Sequence, residues 1–156
     1  TDIFTVHDYD QDPETFGQRY ASVDPARPAE ARVCSEELSV PYAGQPYVVD
    51  EYDGTWWVAG SEEGGSDREA GWGYGQRPTS LAAVYDRIER LTAALTEHPH
   101  VAGFCYTQLT DVEQEENGVY TYDRQEKFDA ARLRRAFGAP AAIERNGGAV
   151  PPTHGE

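Results

Sequence analysis

The stretch Pro46-Tyr47-Val48-Val49-Asp50-Glu51-Tyr52 begins apolar and ends in acid. A run this short, rich in Val and Tyr, reads as a buried strand with polar groups gathered at its C-terminal end. Two other segments share that layout. Upstream, Ile3 to Val6 is apolar and β-branched and runs into His7-Asp8-Tyr9-Asp10. Downstream, Val101 to Tyr106 is followed by Thr107-Gln108-Leu109-Thr110-Asp111.

Helices are predicted between and after these strands. Asp12-Pro13-Glu14 supplies an N-cap, a proline at the first helical position and an acid in the first turn, so a short helix runs to about Tyr20. From Ser80 to His98, Leu81, Val84, Ile88, Leu91 and Leu95 recur at spacings of three and four, a single apolar stripe that Pro99 terminates. A last helix is expected over about Asp129 to Phe137, with Gly138 as its cap. Ala21 to Gln45 reads as a long loop with one helical turn near Ala29 to Val33. Gly54 to Pro78 is a second long loop, Val119 to Tyr122 a short extended piece, and 138–156 a mobile tail.

The order is β, α, β, α, β, α, which predicts a parallel sheet with crossover helices and chemistry at the strands' C-terminal ends. Three such units cannot close an eight-stranded barrel, and a three-stranded sheet would expose its edges. The expectation is an α/β fold that is part of a larger barrel, spanning 1–137. A self-standing open α/β domain is the alternative.

Composition narrows the partners. With 38% apolar and 12% aromatic residues the chain can bury a core. A net charge of −15 argues against nucleic acid and against an anionic membrane surface. No apolar run approaches the roughly 20 residues that span a bilayer, and the chain is read as cytoplasmic. It has no Met and opens directly in a strand pattern, so its natural N-terminus is expected upstream. Of the two cysteines, Cys105 is expected as a reduced core thiol. The acid run Asp111 to Gly118 lacks the spacing of a calcium loop and the four histidines lack metal spacing, so no metal and no cofactor is expected.

Several strings carry a resemblance. Pro46 to Tyr52 and Gly103-Phe104-Cys105-Tyr106-Thr107-Gln108-Leu109-Thr110-Asp111-Val112-Glu113-Gln114-Glu115 resemble glycoside hydrolases of family 2, which include β-galactosidases, β-glucuronidases and β-mannosidases. His7-Asp8-Tyr9-Asp10-Gln11-Asp12-Pro13 and Trp72-Gly73-Tyr74-Gly75 agree with the same subset. The resemblance implies the last three βα units, strands 6 to 8, of a (β/α)8 TIM barrel. It also implies N-terminal β-sandwich domains and the rest of the barrel as partners of this segment, and a carbohydrate substrate. By the same resemblance Glu51 is the catalytic nucleophile of a retaining β-glycosidase, β-galactosidase-like.

The sequence departs from the family pattern at Asp50, where a small polar residue is usual, and at Asp53, where Gly is usual. Strand alternation puts Asp50 opposite Glu51. The family's acid/base glutamate follows an Asn, and no Asn-Glu pair occurs in this chain. The chain alone is therefore expected to be inactive.

Around Glu51, Tyr9 and His7 share a strand face and are candidates to orient it or to bind sugar hydroxyls; bonding to nearby backbone is the plainer reading. Tyr106 and Gln108 alternate in the same way; the resemblance implies an aromatic floor of the sugar subsite at Tyr106, and a core ring is the plainer reading. The loop tryptophans Trp56, Trp57 and Trp72 are candidates for stacking on a sugar in an aglycone site, the adjacent pair Trp56 and Trp57 foremost, or else for pinning the loop to the barrel. A non-catalytic carbohydrate-binding or degenerate barrel is the rival from another class.

Overall fold

The computed structural model describes residues 2–33, 39–60 and 71–145. In chain order it contains β1 (Phe4–Asp8), α1 (Pro13–Tyr20), a 3-10 turn (Pro28–Glu30), β2 (Tyr47–Tyr52), α2 (Leu81–Thr96), β3 (Val101–Tyr106), α3 (Ala130–Phe137) and α4 (Ala142–Arg145). The strands form one parallel sheet in the order β1-β2-β3. The helices α1, α2 and α3 each start where the sequence offers a cap. The Asp12 carboxylate accepts from the Thr15 N–H, the Ser80 hydroxyl from Ala83, and the Asp129 carboxylate from Ala131 and Arg132.

All the helical packing lies on one face of the sheet. One core joins Phe4, Val6, Tyr47, Val49, Tyr52 and Val101 of the strands to Phe16 and Tyr20 of α1 and Leu91 and Leu95 of α2. A second joins Val84, Tyr85 and Ile88 of α2 to Trp57, Phe128 and Leu133. The α2 stripe thus serves both cores, its upper half one and its lower half the other. The opposite sheet face stays open: Thr5 and His7 of β1 and Ala102 and Cys105 of β3 are exposed, and Val48 is half-buried.

The open face corrects one expectation. Cys105 is exposed, because it alternates with Phe104 and Tyr106, which pack against the helical cores. The tail is described only in its first part. A short helix forms at Ala142–Arg145 with Ala142 buried, while 146–156 and Cys34 lie outside the described residues. The extended piece near Val119 is reduced to isolated bridges that pair Tyr120 with Thr110 and Glu126.

Two buried carboxylates at strand ends fix the loops. Asp8 ends β1 with its side chain 1% exposed, 2.7 Å from the Arg19 guanidinium and 3.3 Å from that of Arg32, and it accepts from the Tyr20 hydroxyl and the Asp10 N–H. Asp53 follows β2 at φ 69°, the left-handed region that favours Gly, Asn and Asp. This backbone explains why a glycine suits the position. The Asp53 side chain turns inward, accepting from the Thr55 hydroxyl (2.5 Å) and the Thr55 N–H (3.0 Å), and its second oxygen has no partner. Burial pushes this carboxyl up to about 6, against the pull of the Thr55 bonds.

Two stability predictions follow from these carboxylates. Asp8→Ala strands Arg19 and Arg32 beside an apolar core, and urea unfolding should show a loss of about 3 kcal/mol. A loss under about 1 kcal/mol would show the clamp to be dispensable. For Asp53 the folded pKa lies above the usual 3.8, so the folded state holds the proton more tightly. Its contribution therefore declines as pH rises from about 4 to about 6. Relative to the wild type, Asp53→Asn should gain about 2 kcal/mol between pH 4 and pH 7. A pH-independent difference would contradict that burial.

Candidate active site

The C-terminal ends of β1 and β2 converge on Glu51. The pairing of the two strands runs Phe4 with Tyr47, Thr5 with Val48 and Val6 with Val49, then jumps so that His7 pairs with Glu51 and Asp8 with Tyr52. The extra residue on β2 is Asp50, the signature of a β-bulge. Val49 faces the helical core, so unbroken alternation would turn Asp50 outward and Glu51 in. The bulge places Glu51 beside His7 on the open face instead. Asp50 is there as well, and the expectation that it stands opposite Glu51 is corrected. Its Oδ1 lies 3.4 Å from His7 Nε2, while His7 Nδ1 lies 3.8 Å from Glu51 Oε2. The imidazole stands between two carboxylates.

Tyr9 completes the group. Its hydroxyl donates to Glu51 Oε2 and lies 3.3 Å from His7 Nδ1. Burial, then the bond to Glu51, raises the Tyr9 pKa well above the usual range, so the phenol remains a proton donor at any working pH. The Glu51 side chain is 41% exposed and open to a ligand. An accessible carboxylate with one oxygen held by a phenol has its other oxygen free to attack an electrophile, to take a proton or to accept from a hydroxyl.

Tyr74 is the residue that sequence reasoning missed. Its ring lies flat on that of Tyr9, with centroids 3.9 Å apart and planes within 4°. It reaches this place because its N–H bonds to the Gly54 carbonyl (3.0 Å) and its ring crosses Gly54, where any Cβ would collide with it. The signal was present in the alternation of glycine and aromatic residues through Trp72-Gly73-Tyr74-Gly75. Nothing in that block alone says which ring meets which strand.

The remaining candidates are held by other partners. Tyr106 pairs with Tyr52 on the helical face, and its ring packs edge-on to Tyr52 and against Phe137. Its hydroxyl donates to the Asn117 carbonyl. Of the two readings that the sequence allows for Tyr106, this packing is that of a core ring. Gln108 donates from Nε2 to Asn117 Oδ1 (2.8 Å), and its backbone carbonyl accepts from Val119, so it ties down the loop after β3. That acidic loop is held from beneath by Lys127, whose fully buried Nζ lies 2.7 Å from Asp111 Oδ1.

Trp57 is 1% exposed within the second core, so its ring is not available for stacking on a sugar. Trp56 is half-buried. Its indole N–H donates to Glu116 Oε2, and the Arg77 guanidinium lies over its ring at 5.0 Å. It pins the loop after β2 to the loop after β3. No helix among the described residues is long and apolar enough to cross a membrane.

No protein-family model matches the chain, and no curated protein does. Solved structures do. A β-glucuronidase of an uncultured Clostridium species superposes with a TM-score of 0.55 at 18% identity, over 88% of this chain and 23% of its own. The β-D-glucuronidase of Dictyoglomus thermophilum gives 0.55 at 18%, over 89% and 23%. That of Ruminococcus gnavus gives 0.51 at 19%, over 85% and 21%. The chain thus spans less than a quarter of the length of these structures and shares the fold of that part of them.

Proposed function

We propose that this chain is the nucleophile-bearing part of a retaining β-glycosidase, with its strands as the sixth to eighth of a (β/α)8 barrel and Glu51 as the attacking carboxylate. The observation that carries the reading is Glu51 itself, on the open sheet face at the C-terminal end of a parallel strand with a permanent phenol donor on one oxygen. Three features support the barrel: consecutive strand order, helices on one face only, and a polar group on the face that a closed barrel turns inward. The fold shared with part of three β-glucuronidases agrees with it.

In this reading the free oxygen of Glu51 attacks the anomeric carbon while a second carboxyl group, about 5–5.5 Å away, protonates the departing oxygen. The resulting glycosyl ester is then hydrolysed by water, with that second group now acting as base. Tyr9 fixes the orientation of Glu51 and, since it keeps its own proton, does not compete as a base. His7 bridges toward Asp50 and lies within reach of sugar hydroxyls. The second carboxyl group belongs to the remainder of the barrel, because no Asn-Glu pair occurs in this sequence. The substrate is a terminal β-linked sugar, a β-galactoside on the sequence resemblance and a β-glucuronide on the fold likeness. No step calls for a metal or a redox cofactor.

In the complete protein, Glu51→Gln should lower kcat on the 4-nitrophenyl β-glycoside that is turned over by at least about three orders of magnitude, while sugar binding persists. Tyr9→Phe, which removes one donor and keeps the ring, should cost about a hundredfold. A Glu51→Gln protein with wild-type turnover contradicts the assignment, and a non-catalytic binding protein predicts no Glu51-dependent turnover at all. The chain in isolation should be inactive on the β-galactoside, β-glucuronide and β-mannoside. Robust turnover by the isolated chain that depends on Glu51 would show that no second segment is needed.

A further inference from the structure

Of the three tryptophans in the loop after β2, Trp72 is the most open to solvent, at 47% exposed, while Trp56 is half-buried and Trp57 buried. An exposed indole is ordinary on a protein surface. What distinguishes Trp72 is where it stands and how it is held. Its ring meets Tyr74 edge-on, at 5.8 Å between centroids and 81° between planes. Tyr74 lies flat on Tyr9, and the Tyr9 hydroxyl donates to Glu51. Three rings in successive contact therefore link the carboxylate to an open indole. The Trp72 backbone is clamped on both sides, its N–H to the Gln114 carbonyl (2.7 Å) and its carbonyl from the Glu116 N–H (2.8 Å). The ring is preorganised, and little ordering is left for a ligand to impose.

We propose that Trp72, backed by Tyr74, is the platform on which the departing half of the glycoside stacks. The inference rests on the hydrolase reading of Glu51 and extends it to specificity. The sugar that is attacked must place its anomeric carbon against Glu51, beside the Tyr9 ring. A group bonded through the glycosidic oxygen then lies further out, and the next open apolar surface along the ring path is Trp72. Large planar surfaces of this kind bind the apolar faces of sugar rings and aryl groups, while their edges leave hydroxyls in water. Trp56 cannot serve in the same way, since one face carries Arg77 and its N–H is taken by Glu116. The platform favours substrates whose leaving group is a ring, either a second sugar or an aryl aglycone.

The test compares two leaving groups on one sugar. The complete protein is assayed on the 4-nitrophenyl β-glycosides of galactose, glucuronic acid and mannose, then on the β-glycosyl fluoride of the sugar that is turned over. Fluoride presents no ring to stack. Trp72→Ala should lower kcat/KM for the nitrophenyl glycoside about five- to tenfold, chiefly through KM, and leave the fluoride within about twofold. Trp72→Phe should restore most of the loss, and Trp72→Gln replaces the alanine variant if that fails to fold. Equal losses on both substrates, or no loss on either, overturn the platform. Glu51→Gln, assayed on the fluoride in parallel, separates the two claims: retained turnover defeats the hydrolase reading, whereas lost turnover beside an indifferent Trp72→Ala defeats only the platform. A complete protein that hydrolyses none of the three nitrophenyl glycosides overturns both.

Discussion

A single extra residue on β2 determines which side of the sheet carries Glu51. Val49 is locked in the helical core and Tyr52 is locked there too, with its hydroxyl against Thr92 and its ring against Phe16 and Phe104. Between two inward anchors three residues apart, strict alternation cannot hold. The bulge absorbs the mismatch by turning both Asp50 and Glu51 to the open face. β-Bulges re-aim side chains in this way at active sites. The cost is two acidic side chains in sequence on one face, and His7 stands between them, 3.4 Å from one and 3.8 Å from the other.

Everything around that bulge serves to hold it. Asp8, two residues before the end of the polar cluster on β1, is gripped by Arg19, Arg32 and Tyr20, so the strand end and α1 move as one. Asp53 folds the chain back sharply after Tyr52, and Gln11 donates to its carbonyl (2.6 Å), tying the β1 loop to the β2 loop. The loop after β3 is anchored by Lys127 and Asn117, and through Gln114 and Glu116 it reaches across to the loop after β2. The result is a rim of three interlocked loops above a sheet whose other face is sealed by α1, α2 and α3. Rigid supporting contacts of this kind let a site keep its geometry.

Much of this was legible in the residues. The capping residues Asp12, Ser80 and Asp129, the α2 stripe and the three apolar strands each carry a local signal, and each element appears within a few residues of where that signal puts it. Polar clusters at strand ends pointed to Glu51 and Tyr9, which the fold brings into contact. The failures share one cause. Which face a side chain takes depends on register, and the register shifts at Val6/His7, Tyr47/Val48 and Val49/Tyr52 are invisible in a pattern of apolar and polar letters. So strand alternation alone gives the wrong side for Asp50, and Cys105 lies on the open face rather than in the core. Trp56, Trp57 and Trp72 posed a related difficulty, because a loop without a period gives no hint of which indole is buried.

The central claim is that Glu51, rather than the adjacent Asp50, forms the bond to sugar. It is tested most directly by trapping that bond. The complete protein, incubated with a 2-deoxy-2-fluoro glycosyl fluoride of its substrate sugar and digested, should yield one glycosylated peptide by mass spectrometry, with fragmentation placing the mass on Glu51. Label on Asp50, on another carboxylate, or on none while turnover proceeds would contradict the account.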